Sequence, residues 1–359
     1  MFNGNSKYLL ISVITYVAIS IFVWTVSCRH ELQYYSTGDF TTVPKTDAHF
    51  HYLSADTSFI VFAKSVNFRL LSPIWEGEIP IDTQLSVSAA VRAVYPSNYA
   101  FFTSFPTSGI LKSGFADSAI AYIARAIQKG ATGVKIWKNI GMVLTRPDSS
   151  FIMADDEIFD PVFSFLEENH IPVIGHLGEP RNCWLPFDKM TDRGDSMYYA
   201  ENPKYHMFLH PKVPSYEKQI TAIEHLLEKH PLLDYTGAHL ASLEWSVDEV
   251  AIRLDRFPNL KVDLAARLSH IQAQSDHDWK KVRNFFIKYQ DRLVYGTDYE
   301  VHGAVTEASL DNLENAWHDQ WNYLATDTCR MHKGLKLPRE VIDKIYFKNS
   351  MKCFTINAR

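Results

Sequence analysis

The 359-residue chain predicts an α/β fold, a (β/α)8 TIM barrel, on three observations. Short apolar runs alternate with amphipathic helical patterns from Lys45 onward, several runs end on a histidine or an aspartate, and no repeat or low-complexity tract breaks the rhythm. In a parallel barrel the reactive side chains lie at the carboxyl ends of the strands, so polar residues in that position point to one shared site.

The first strand is expected in Lys45-Thr46-Asp47-Ala48-His49-Phe50-His51. A strand has a side-chain period of two, which sets Asp47, His49 and His51 on one face, with the acid placed to orient a ring. A second strand is expected near Val66 to Leu71, a third from Tyr99 to Phe105 and a fourth from Gly133 to Trp137. The fifth ends at His176, the sixth at His239, the seventh spans Leu260 to Leu264 and the eighth ends at Asp298. Helices are expected at Thr83 to Val94, Asp117 to Lys129, Asp156 to Asn169, Tyr216 to Lys229, Leu243 to Arg256 and His277 to Tyr289. Gly130 reads as a helix stop and Ser215 as an N-cap.

Gly178 to Pro214 is far longer than the usual connection between a strand and the next helix. It carries Glu179, Arg181, Trp184, Tyr198, Tyr199, Tyr205 and His206 directly after His176. This stretch is expected to form a lid that helps select substrate.

With 46% hydrophobic and 21% charged residues the chain can bury a full core, and its net charge of −5 argues against nucleic acid as a partner. The four cysteines, Cys28, Cys183, Cys329 and Cys353, lack the spacing of a zinc ribbon or a disulfide framework. Tyr8 to Cys28 contains no charged residue, with Lys7 before it and Arg29, His30 and Glu31 after it. Residues 1–28 therefore read as a signal peptide or membrane anchor, residues 29–44 as a linker and residues 45–359 as the barrel domain. Thr25-Val26-Ser27-Cys28 resembles a bacterial lipoprotein cleavage site, although Thr25 stands where that motif has an aliphatic residue. The body is expected outside the cytoplasm, tethered to or released from a membrane.

Neutral imidazoles converging with a carboxylate bind transition metals. His49, His51, His176, His239 and Asp298, in that order, resemble the amidohydrolase superfamily, in particular its amidohydrolase-related group, which includes aminocarboxymuconate semialdehyde decarboxylase and several lactone hydrolases. The resemblance covers about residues 45 to 300. It implies a distorted barrel with a divalent metal, usually zinc, held by His49, His51, His176 and Asp298, with His239 as the acid or base beside it. One ion is expected rather than two. In binuclear members a carboxylated lysine on the fourth strand bridges two ions, and here Lys135 and Lys138 lie near that strand's end. Alternation sets the two on opposite faces, so one at most is expected to point inward, where it would bind substrate.

Arg267, after the seventh strand, and Arg181 in the lid are candidates to hold an anionic substrate, each against the reading of a plain salt-bridge partner. For Glu244 and Glu300 a role in the site stands against the same salt-bridge reading. Trp184 is a candidate substrate contact, and for Trp137, Trp184 and Trp245 the competing reading is core packing.

The function expected is hydrolysis of a small-molecule amide, ester or lactone by metal-activated water, with Asp298 both a ligand and a hydrogen-bond partner of that water. Metal-dependent non-oxidative decarboxylation is the alternative on the same scaffold. A non-catalytic solute-binding or metal-scavenging surface lipoprotein is a third reading.

Overall fold

Eight short parallel strands close on themselves. The computed structural model describes residues 33–354, and every element below lies within Tyr34–Arg359, the second of two units into which the chain divides. Strand β1 (Lys45–Asp47) pairs with β3 (Phe68–Pro73), and β3 with β4 (Tyr99–Phe102). A bridge between Thr103 and Val134 carries the sheet on to β5 (Val134–Ile136). From there β6 (Val173–Gly175), β7 (Tyr235–Gly237), β8 (Leu260–Asp263) and β9 (Leu293–Val294) follow in order, all parallel. The ring is closed by the Ala48 N–H donating to the Tyr295 carbonyl at 2.9 Å, which leaves the barrel without an exposed edge.

Two further strands, β2 (Phe50–Leu53) and β10 (Tyr299–His302), form a separate parallel pair with Phe50 opposite Tyr299 and His51 opposite Glu300. This corrects the expected first strand. The strand is interrupted between Asp47 and Phe50, and His51 belongs to the second segment.

Apolar spacing explains the helices. In Phe115–Gln128 the buried residues Ala119, Tyr122, Ile123 and Ala126 fall at i, i+3, i+4 and i+7, one stripe facing the barrel. Tyr216–Lys229 begins where expected because the Ser215 hydroxyl accepts the Lys218 N–H. Gly130 ends its helix with φ of +102°. Leu268–His277, Glu307–Ala325 and Arg339–Tyr346 were not anticipated. The second of these buries Trp317 and Trp321 completely, and Trp317 stacks on Phe68 at 3.9 Å between ring centroids.

The hydrophobic residues divide into two groups. A large cluster fills the space between strands and helices, while Ala48, Leu71, Ala100, Phe102, Ile174, Ala238 and Val294 form a small one inside the barrel. The inner group carries only modest volume, and the polar side chains at the strand ends stand on it. Among the described residues no helix is long and apolar enough to cross a membrane. The expected signal or anchor, Cys28 included, lies outside the described residues.

Candidate metal centre

Each strand end delivers its residue by a local device. At the end of β7 the backbone turns left-handed for four successive residues, His239, Leu240, Ala241 and Ser242, with φ between +55° and +60°. Each such non-glycine residue costs about 1–2 kcal/mol. Buried hydrogen bonds offset that strain: Asp263 accepts the His239 N–H at 2.7 Å, the Tyr216 hydroxyl donates to the Ser242 carbonyl at 2.6 Å, and the Ser242 hydroxyl donates to Leu177 at 3.0 Å. Asp298, after β9, also has positive φ, +65°. Its turn is fixed by Asp47, whose carboxylate accepts the Thr297 N–H at 2.9 Å, the Thr297 hydroxyl at 2.6 Å and the Trp317 indole N–H at 3.1 Å. Gly296 is required beside it, because a Cβ there would lie 2.8 Å from the His49 Cβ.

Asp47 therefore positions the segment that carries Asp298 and does not stand behind a histidine ring, contrary to the expectation from strand alternation. Asp263 has that task. Its Oδ2 lies 2.8 Å from His49 Nδ1, its Oδ1 holds the His239 backbone, and both Asp263 and His49 are fully buried. Sequence reasoning missed this acid, although a carboxylate closing the seventh strand was the available signal.

With His49 Nδ1 bound to a carboxylate, its Nε2 is free to face the cluster. It lies 3.4 Å from Asp298 Oδ1 and 2.9 Å from Lys135 Nζ, and His51 Nε2 lies 3.2 Å from the same Asp298 oxygen. His49, His51 and Asp298 thus offer donor atoms all within 4.8 Å of one another. His239 Nδ1 is 2.9 Å from the Ala265 carbonyl, which only accepts, so the proton is assigned to Nδ1 and the lone pair to Nε2. That Nε2 is 3.3 Å from His176 Nδ1 and 4.0 Å from Asp298 Oδ2.

His176 joins the cluster through His239. Its Nε2 is buried without a hydrogen-bond partner, 3.8 Å from Glu179 Oε2. Burial lowers His51, and burial with the neighbouring cations Lys138 and Lys135 holds His176 well below its ordinary value. His239 is held well below by burial, then by His176. Burial alone would raise Asp298, but His239, His49 and His51 outweigh it and keep the carboxyl well below the usual range. The grouped donors of His49, His51 and Asp298, with an orphaned buried nitrogen on neighbouring His176, fit a divalent cation.

Lys135 and Lys138 both reach this end of the barrel, which corrects the expectation of opposite faces. Alternation holds only while the strand lasts, and β5 stops at Ile136. Lys135 is buried, pushed down to about 8 by its burial. Lys138 forms an ion pair with Glu179, which outweighs burial and keeps the ammonium above its ordinary value.

The segment after His176 is a packed excursion containing the helix Arg193–Glu201 and four short 3₁₀ turns. Buried Cys183 donates to the Tyr205 carbonyl at 3.0 Å, and His206 Nε2 lies 2.8 Å from the Leu185 carbonyl. Trp184 is not at the metal cluster: its indole donates to Pro214 at 3.1 Å and its ring packs on Tyr216. The Arg181 guanidinium stacks on Trp245 at 4.3 Å, and its backbone N–H donates to Glu244 Oε1 at 2.8 Å. Arg267 is charged against Glu244 and Asp195 despite its burial, and its Nε has no hydrogen-bond partner. Glu300 is an exposed partner of His302 at 3.1 Å. Beside the cluster, across Lys138 and Glu179, a cavity of about 520 Å³ opens beneath the excursion.

Comparison with known proteins agrees with the barrel fold. The class is that of the TIM-barrel metal-site proteins, and the amidohydrolase family model matches residues 101–356. The chain belongs to that family. No curated protein matches the sequence. Among solved structures, an uncharacterised TIM-barrel protein, Bb4693, from Bordetella bronchiseptica is 18% identical with a TM-score of 0.50, covering 84% of this chain and 83% of that one. A 2,6-dihydroxybenzoate decarboxylase from Rhizobium is 14% identical with a TM-score of 0.52, covering 87% and 98%. An amidohydrolase II is 15% identical with a TM-score of 0.50, covering 86% and 99%. At these identities the likeness establishes the fold.

Proposed function

We propose that the protein is a metal-dependent hydrolase of a small-molecule amide, ester or lactone. The observation that carries this reading is the unprotonated His239 Nε2 lying 4.0 Å from Asp298 Oδ2, beside the three-residue donor set. His49, His51 and Asp298 would hold one divalent ion, zinc in our reading, with neighbouring His176 as the fourth ligand. Such an ion polarises a carbonyl and lowers the pKa of bound water to about 7. His239, oriented by the Ala265 carbonyl, accepts a proton at Nε2 and returns it to the leaving group. Asp263 holds His49 and the His239 backbone in register for this task. Lys135 is placed to meet a developing negative charge or a substrate carboxylate, and Arg267 to attract an anionic group.

Non-oxidative decarboxylation uses the same donor set and is the second reading, favoured by the likeness in fold to the Rhizobium decarboxylase. Assaying lactones, esters and amides against aromatic and unsaturated acids, with CO2 detection, separates them. Release of CO2 without hydrolysis of any carbonyl substrate would overturn the hydrolase reading. On the composition of residues 8–28 we further propose that the enzyme works outside the cytoplasm, membrane-tethered or secreted.

A further inference from the structure

The cavity beneath the excursion is unlike the metal cluster in chemistry. Its lining is largely apolar, with Trp137, Met142, Tyr205, Met207, Leu209 and Val213 among the residues, and Leu209 is 50% exposed. At its inner end stand Lys138 and Glu179, and Glu179 Oε2 is 3.8 Å from His176. The cavity therefore borders the cluster through the Lys138–Glu179 pair, although none of His49, His51, His176, His239 and Asp298 lines it. Its volume is within the range of sites that enclose most of a small ligand.

Charge distinguishes what fills it. Lys138 is neutralised by Glu179, whereas Lys204 and Lys212 also line the cavity and pair with no carboxylate among the described residues. Both lysines are exposed, and Lys204 Nζ lies over the Tyr205 ring at 4.7 Å from its centroid. We propose that the cavity is a substrate subsite for an elongated apolar arm ending in an anionic group, so that the substrate is an amphiphilic amide, ester or lactone. The proposal rests on the hydrolase reading only for what lies at the metal end.

Binding is measured by calorimetry on the full chain as purified, with its metal. The probes are decyl sulfate below its micellar concentration, hexyl sulfate and decanol. Decyl sulfate should bind more tightly than either of the other two. The double substitution Lys204→Glu with Lys212→Glu should weaken decyl sulfate by about tenfold or more and leave decanol within about twofold. Leu209→Asp should weaken both long probes, and Leu232→Asp, at the amino end of β7, neither. Absence of saturable decyl sulfate binding, or a loss shared equally by Leu232→Asp, overturns the subsite, as does indifference to the charge reversal. Binding as expected without hydrolysis of any carbonyl substrate overturns the hydrolase reading and leaves the subsite standing.

Discussion

His239 shows how much one residue's chemistry depends on its backbone. The left-handed turn aims its ring across the barrel, and the Ala265 carbonyl at 2.9 Å decides which nitrogen bears the proton. His239→Asn should keep both metal and fold while turnover falls by about 10²-fold or more. Metal content and rate of this variant are measured together, since a ligand would lose both and a bystander neither. Glu244 makes a separate prediction about stability. Burial pushes its carboxyl from the ordinary value of 4.5 up to about 7. The folded state therefore binds more protons than the unfolded chain between those values, and stability falls as pH rises through that window. Glu244→Gln should flatten this slope, removing up to roughly 3 kcal/mol of difference between pH 5 and pH 8. Equal slopes in denaturant titrations of the two proteins would refute it. At this scale His49 and His51 were legible from their spacing of two, and His176, His239 and Asp298 because each ends a short apolar run. Asp47 was misread because period-two reasoning assumes an unbroken strand, and Asp263 was passed over because its partner, His49, is remote in sequence.

Elements were legible where local chemistry specifies them. Tyr216–Lys229 agrees with its expected limits because a serine cap and an apolar stripe coincide. The β2 and β10 pair was not legible, since Phe50 meets Tyr299 only after the whole barrel has formed between them. Strand ends were the weak point, and Lys138 shows the consequence. Leaving β5, it turns to Glu179 and ties the fifth-strand excursion to the barrel rim with an ion pair whose side chains are 18% and 8% exposed. Removing one partner of so buried a pair leaves an uncompensated charge and costs about 3–5 kcal/mol, whereas replacing both by apolar groups is often near neutral. Lys138→Met and Glu179→Leu should each destabilise by that amount, and the double variant should recover most of the loss. Additive losses in a double-mutant cycle would show that the pair does not hold the excursion.

For the whole molecule, ring closure converts eight short strands, none above six residues, into a frame on which distant residues share one site. The alternation of strands and helices made that architecture legible. The C-terminal helices were not, because their role is to cover strands from outside, as Trp317 does against Phe68. Export also belongs to this scale. The intact chain should fractionate with membranes and a chain starting at Arg29 should be soluble, with palmitate incorporation that depends on Cys28 marking a lipid anchor. Recovery of the unprocessed native chain in the cytoplasm would refute it.

The most direct measurement is the metal content of the purified protein beside His49→Ala and His176→Ala. The account predicts about one equivalent of zinc or a similar divalent ion in the native chain, with most of it lost in each variant. Full retention of metal by both variants would contradict the central claim that this cluster is a metal centre.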